Sequence, residues 1–365
     1  MELRDEVAAR YLAVRHAIPP IEWPVYAGDV AAIFDLKRRR RAAILAHNYQ
    51  DPVIFHGVAD VTGDSLGLAE KAHAVDAEAL VVCGVTFMAE TVKLLNPKRT
   101  VLIPDLAAGC SLAGSITAAD VRAMKRRHPG VPVVCYVNTT AEVKAESTVC
   151  CTSANAVEVV RSLRADRVLF IPDRYLAGYV RSQTDVEVIP WPGACEVHER
   201  FTAADIRELR SLFPGVVVLA HPECTAEVLA EADYVGSTTG MIRRLRERPP
   251  ECAALITECA MSDNVASEMP GVRFVRPCNL CPYMRKITLP SVRRSLETLT
   301  FEVAIDPVVA VGARRAIDRM LEVGRGRTGL TAHPSARPPS MSSSWDPVPP
   351  GWRPLWRWHR FAWLS

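Results

Sequence analysis

The chain has 365 residues, a net charge of +3, 49% hydrophobic and 23% charged residues. That length is too great for one simple core and suits two or three domains, and the small charge gives no argument for nucleic acid or an anionic membrane as partner. No apolar run approaches the roughly 20 residues that span a bilayer, and the charged start MELRDEVAARYLAVRH has no signal-peptide core, so the cytoplasm is the expected compartment.

Residues 1–27 read as an N-terminal helix and a connector containing Pro19, Pro20 and Pro24. Asp29 is expected to cap a helix running to about Arg40, with the basic run Lys37 to Arg41 as its solvated end, where cations suit the helix dipole. AAILAHNYQ follows as a short buried strand delivering His47, Asn48 and Tyr49. Its counterparts are PVVCYVNTT, ending at Tyr136 and Asn138, and VVVLAHPECT, ending at His221 and Glu223. Both come after a Pro-Gly-Val turn. Polar side chains at the carboxyl ends of buried strands sit where open α/β sheets bind ligands.

These strands lead toward helix starts, GDSLGLA with Ser65 and CTSANA with Ser153. Either serine suits a plain N-cap or a hydroxyl offered to a carboxylate or phosphate beside helix amides. A second strand is expected in each unit, in ALVVCGVTFMAETVKLL, RVLFIPDRYLAGYV and DYVGSTTGMIRRL. The turn in the last, Gly236 to Gly240, exposes the hydroxyls of Ser237 and Thr238 and suits an anion. LITECAM supplies a further strand ending at Thr257 and Glu258.

One pattern recurs through this order. VLIPDLAAGCSLAGSITAADVRAM, VEVIPWPGACEVHERFTAADIREL and VRFVRPCNLCPYMRKITLPSVRRSL each carry a strand-like run, a cysteine and, seven residues later, a threonine that opens a helix. The cysteines are Cys110, Cys195 and Cys281, spaced by 85 and 86 residues. A period this long indicates a repeated small α/β unit. The expected fold is α/β: three pseudo-threefold-related α/β/α units with short parallel sheets around a central cavity. The units fall at 28–109, 110–194 and 195–281, followed by a helical segment at 282–325. The stretch 326–365, rich in Pro, Ser, Arg and Trp, has no usable periodicity and is expected to be a disordered tail; His333 and His359 within it are not counted in the site.

Eleven cysteines are many for a cytoplasmic protein, where a disulfide framework is not expected and metal, redox or catalytic roles gain weight. Cys83 and Cys135 lie in apolar runs, and Cys252 and Cys259 flank another, so these four read as small buried hydrophobes. The three repeated cysteines differ. Four thiolates close a structural metal site; three leave a position open, as metal catalysis requires. Iron–sulfur clusters prefer thiolates, and zinc is the alternative metal. Cys278, in the chain's lone CxxC with Cys281, reads as a redox partner or an idle neighbour. His47, Tyr49, Tyr136, Asn138, His198, His221 and Glu223 add acid–base and hydrogen-bonding groups. The set fits a small, multiply anionic substrate that loses water through proton transfers.

AHNYQ, GDSL, CGVTFMAET, IPDLAAGCSLA, YVNTTAEVKA, CCTSANA, GACEVH, AHPEC, GSTTGM and CPYMRKIT, taken in order over about residues 25–322, resemble the quinolinate synthase family. The resemblance implies a [4Fe–4S] cluster on Cys110, Cys195 and Cys281. It further implies condensation of iminoaspartate, supplied by L-aspartate oxidase, with dihydroxyacetone phosphate. The products are quinolinate, phosphate and water, on the route to NAD. It assigns catalytic roles to Tyr49, His198, His221, Glu223 and Thr257, and substrate contacts to His47, Ser65, Tyr136, Asn138, Ser153, Ser237 and Thr238. Some members carry a disulfide switch beside the third ligand; only Cys278 stands there in this chain. Two other readings are another cluster-dependent dehydratase of small carboxylates and an iron–sulfur redox carrier; a carrier has no need of His, Glu and Tyr at strand ends.

Overall fold

The computed structural model describes residues 3–325, and the expected tail at 326–365 lies outside them. Its twelve strands form three four-stranded, wholly parallel sheets. The first contains β1 (Ala42–His47), β2 (Val61–Gly63), β3 (Ala79–Cys83) and β4 (Thr100–Leu102). The second contains β5 (Val133–Tyr136), β6 (Val149–Cys151), β7 (Arg167–Ile171) and β8 (Glu187–Pro190). The third contains β9 (Val217–Ala220), β10 (Tyr234–Val235), β11 (Cys252–Ile256) and β12 (Arg273–Val275). Each sheet has the same order, second–first–third–fourth, so β1, β5 and β9 occupy equivalent inner places. The inner strands β1, β3, β5 and β11 are buried at every position, which explains their unbroken apolar sequence: helices cover both faces. The α/β architecture expected from the repeat is the one present.

The repeat closes into a ring. Thr117, Thr202 and Thr288 each form a capping box, with Asp120, Asp205 and Ser291, and head the helices Ala118–Arg127, Ala203–Leu212 and Leu289–Thr298. The first of these packs on the helix Ala141–Ala145 beside the second sheet, and the second on the helix Ala226–Ala230 beside the third. The helix after Cys281 returns to the first sheet, against β3 and the helix Trp23–Arg40. Each repeated cysteine therefore lies where the chain crosses from one unit to the next. The last helix, Pro307–Arg325, lies over Ala141–Ala145 and β6.

Several expectations are corrected. The first long helix begins at Trp23, with Glu22 in the cap position and Pro24 in the first turn. Proline is tolerated there because that turn's N–H groups have no helical partner. Asp29 is inside the helix and accepts a hydrogen bond from Arg293 (3.2 Å). Lys37 is not a solvated end residue; it is 8% exposed and donates to Asp60 (2.7 Å) and the Val58 carbonyl (3.0 Å). The segment DYV is β10, which pairs outside β9 and so corresponds to β2 and β6; the counterpart of β3 and β7 is β11, from LITECAM. Cys259 is not a plain buried thiol and Cys278 is not idle, for the two form a disulfide. A parallel bridge between Glu258 and Asn279 runs the two segments side by side and brings the paired Cα atoms to 4.8 Å.

Candidate active site

The carboxyl ends of the inner strands point into one cavity of about 90 Å³. His47 and Tyr49 arrive after β1, Tyr136 and Asn138 after β5, and His221 and Glu223 after β9; all six line its wall. Short parallel strands sealed by helices leave the polar residues after each strand nowhere to go but this shared centre.

Glu223 is the hub. It is 3% exposed, and its Oε1 accepts from the Tyr136 hydroxyl at 2.5 Å and from Asn138 Nδ2 at 3.5 Å. Its Oε2 lies 2.8 Å from His198 Nδ1. Burial pushes the carboxyl up, but His198, His221 and the Tyr136 hydroxyl outweigh it and hold Glu223 well below the usual carboxylate range. A carboxylate only accepts, so His198 Nδ1 carries the hydrogen between Glu223 and the Cys195 sulfur, 3.2 Å away, and Nε2 is the nitrogen left to accept. The Thr257 hydroxyl, 2.9 Å from Nε2, then donates to it and takes the Tyr49 phenol hydrogen at 2.5 Å. The result is a directed chain, Tyr49 to Thr257 to His198 to Glu223. Burial and the Glu223 charge raise the Tyr49 phenol well above its ordinary value, so a free phenolate is disfavoured and any proton passed along the chain has to move in concert.

His221 stacks on His198, with ring centroids 4.7 Å apart. Burial lowers it to about 3 against the opposing pull of Glu223, leaving a neutral ring. Its Nδ1 accepts from the Glu223 backbone N–H (3.4 Å), so Nε2 faces the Ser153 hydroxyl (3.1 Å) as donor. His47, lowered by burial to about 4, is also neutral, and its Nδ1 accepts from the Tyr49 backbone N–H (3.2 Å).

Neither serine left open by sequence is a cap. Asp64 caps the helix Ser65–Lys71 by accepting from Gly67 N–H, and Asn155 occupies the cap position of the helix Ala156–Ser162. Ser65 and Ser153 both line the cavity. Ser237 does cap its helix, Thr238–Glu247, through Gly240 N–H, and it is Thr238 that reaches the cavity wall, accepting from Asn48 Nδ2 at 3.1 Å. Thr257 lies behind the wall, and Ser237 is the one expected site residue with neither a place on the wall nor a bond to a residue there.

Cys110, Cys195 and Cys281 line the same cavity as these groups. Burial raises all three thiols, Cys110 to about 12, and Cys110 is raised further by Cys281 and Cys195 by Cys110. Among the described residues no lysine or arginine lines the wall, whereas Asp64, Glu196, Glu223 and Glu258 do. Thiols, carboxylates and imidazoles converging on one wall form a donor set that fits a metal cofactor. Cys195, His198 and Glu223 also bring one donor atom each within 4.8 Å of one another, a group that fits a metal cofactor.

Sequence reasoning assigned no role to Glu258 or Tyr283. Glu258 is 1% exposed; its Oε2 accepts from Ala260 N–H (2.7 Å) and its Oε1 from the N–H of Cys281 (3.3 Å). The Tyr283 ring flanks Gly109, where an added Cβ would meet it at 3.5 Å, so its ring stands over the turn that carries Cys110. Their signals were the strand end Thr257-Glu258 and the position two residues after Cys281.

Comparison with known proteins agrees with this geometry. The family described as NadA, quinolinate synthetase A protein, matches residues 31–322. Quinolinate synthase 1 of Mesorhizobium japonicum is 63% identical over 316 residues, covering 87% of this chain and 98% of that protein. Quinolinate synthase 2 of the same organism is 59% identical over 321 residues, 88% and 99% of the two chains. The quinolinate synthase of Agrobacterium fabrum is 58% identical over 316 residues, 87% and 92%. With one family spanning all three sheets and relatives matched almost end to end, the chain belongs to the quinolinate synthetase A family.

Proposed function

We infer that the chain condenses iminoaspartate with dihydroxyacetone phosphate to give quinolinate, phosphate and water, and that Cys110, Cys195 and Cys281 hold a [4Fe–4S] cluster. The observation that carries this reading is the meeting of three repeat-related thiols with the Tyr49–Thr257–His198–Glu223 chain on one cavity whose wall, among the described residues, carries no lysine or arginine. When bound, such a cluster supplies one iron with an open position, a Lewis acid for carboxylate and hydroxyl oxygens. The protein supplies the rest. Thr238 and the helix start at Ser65 offer hydroxyls and backbone amides to substrate carboxylates and phosphate. Tyr49 takes a proton from the substrate while handing its own through Thr257 to His198, with Glu223 stabilising the imidazolium. His221, neutral with Nε2–H directed at Ser153, is set to donate beside the relay, stacked on His198. Asn138 and Tyr136 hold the Glu223 carboxylate still.

Formation of quinolinate places the chain in de novo NAD biosynthesis, fed by L-aspartate oxidase, which makes the unstable iminoaspartate. Among the described residues no helix is long and apolar enough to cross a membrane, in keeping with a cytoplasmic role. The test is anaerobic reconstitution with iron and sulfide, followed by quinolinate assay with iminoaspartate generated in situ. Wild type is expected to be brown and to form product. Retention of both cluster absorbance and product by Cys195→Ser overturns the ligand assignment.

A further inference from the structure

Lys144 is the largest fully buried side chain among the described residues, at 0% exposed. Lysines are almost never fully buried without a partner, and this one lies outside the cavity wall. It sits in the helix Ala141–Ala145, over which the helix Pro307–Arg325 packs closely: a Cβ at Gly312 would lie 3.0 Å from Ala145. That cover seals Lys144 from water.

Its nearest polar partners centre on one turn. The Lys144 ammonium donates to the Thr139 carbonyl in a short hydrogen bond. The Thr139 hydroxyl bonds the Tyr136 carbonyl at 3.3 Å and the Cys135 sulfur at 3.0 Å, and Cys135 also reaches the Tyr136 carbonyl. The ammonium stands 5.6 Å over the Phe87 ring, a residue of the cavity wall. Glu90 accepts from Ala141 N–H (2.9 Å), and burial pushes its carboxyl up while the Lys144 charge opposes that shift. Cys135, though buried, is held near 7 by Cys150, Lys144 and the hydroxyls of Thr139 and Ser147. A cation with its counter-groups is thus built into the back of the five-residue turn 136–140. The front of that turn carries Tyr136 and Asn138, both bonded to Glu223.

We propose that Lys144 is a positioning residue for the reaction: by gripping the Thr139 carbonyl from behind the cavity it sets where Tyr136 and Asn138 hold Glu223. This rests on the reading of Glu223 as part of the quinolinate-forming machinery. A purely structural role for the buried charge predicts a different result when Lys144 and Glu90 are neutralised together. Lys144→Met alone strands the Glu90 carboxyl, and that variant can fail to fold. Lys144→Met/Glu90→Gln neutralises both groups together, keeps the acceptor for Ala141 N–H and roughly conserves volume, so that neither buried charge is left without the other.

The experiment compares reconstituted wild type, the double variant, Tyr136→Phe and the triple combination. The double variant is expected to melt near wild type and to carry the same iron and sulfide per chain, yet to lose at least tenfold in kcat/KM. Adding Tyr136→Phe to it is expected to cost less than half the fold-loss that Tyr136→Phe causes in wild type, because the two substitutions disable one linkage. Wild-type kcat/KM in the double variant overturns the proposal, as does multiplicative loss in the triple. A double variant that fails to fold or to load its metal overturns it too, in favour of a structural role for the buried charge. Absence of quinolinate from wild type overturns the functional reading instead.

Discussion

Replacing Thr257 by valine removes one hydroxyl and little else. Thr257 is 0% exposed, and its oxygen is the sole link between Tyr49 (2.5 Å) and His198 Nε2 (2.9 Å). Valine nearly conserves volume, so the perturbation is chemical. Both partners lose a bond, and leaving a buried polar group unsatisfied costs about 1–3 kcal/mol. If both groups stay unpaired, stability should therefore fall by roughly 2–6 kcal/mol for the two together. Interrupting the concerted transfer also removes an acid–base contribution of about 10²–10⁴ in rate. The expectation is a drop in kcat of at least ~10²-fold, with cluster absorbance per chain unchanged because no ligand is touched. Thr257→Ser, which keeps the oxygen, should recover most of the rate. The assay is steady-state quinolinate formation by anaerobically reconstituted protein, normalised to iron content. A Thr257→Val enzyme within threefold of wild type at equal cluster loading would mean that Tyr49 and His198 do not communicate through this hydroxyl.

Three further outcomes follow from neighbouring features. Glu258→Ala removes the acceptor for the Cys281 N–H and should lower iron and sulfide content, whereas Glu258→Gln, which keeps one of the two acceptor oxygens, should load more than the alanine variant; equal loading of both excludes a role in holding the third thiolate. The Cys259–Cys278 bond closes a loop with a sequence separation of 19, which chain entropy values at about 3 kcal/mol. Dithiothreitol should thus lower the wild-type unfolding midpoint and leave that of Cys278→Ser unmoved. Burial lowers His56 from 6.5 to about 4, so between those values the unfolded chain binds a proton that the folded one does not. Stability from this group is complete above pH 6.5 and lost as pH falls toward 4, at up to ~1.4 kcal/mol per pH unit. His56→Asn should flatten the wild-type stability–pH slope in that window by as much as one proton, and an identical slope in the two proteins would refute the shift.

What the sequence made legible was local or periodic. Thr117, Thr202 and Thr288 announced their helices because a capping box is written within four residues. The inner strands were legible because strands buried on both faces read as apolar runs. Ser65 and Ser153 could not be resolved, since a cap depends on which of two adjacent side chains faces the helix axis, and Asp64 rather than Ser65 does so. The two-residue β10 was matched with the wrong partners because so short a strand carries no pattern to fix its place in a sheet. The Cys259–Cys278 pair was missed because it depends on two loops lying parallel, which neither loop encodes alone. Lys144 was invisible for the same kind of reason: the helix that buries it starts at Pro307.

The threefold repeat explains where the groups meet, and its breakdown explains what they do. Equivalent strand ends carry different side chains: His47 and Tyr49, then Tyr136 and Asn138, then His221 and Glu223. A strictly symmetric centre would surround its substrate with three copies of one group and offer no direction for a proton to travel. Here only the second cysteine is followed three residues later by a histidine, and only the third sheet supplies the threonine that histidine bonds. Direction arises from that asymmetry, because the Glu223 carboxylate fixes the His198 hydrogen on Nδ1 and so makes Nε2 an acceptor. The end of β11 carries two duties at once. Thr257 completes the proton chain, and Glu258, the next residue, holds the backbone of Cys281. A shift of that strand end moves the third thiolate and the relay together, so cluster geometry and proton transfer in this chain are coupled through two consecutive residues.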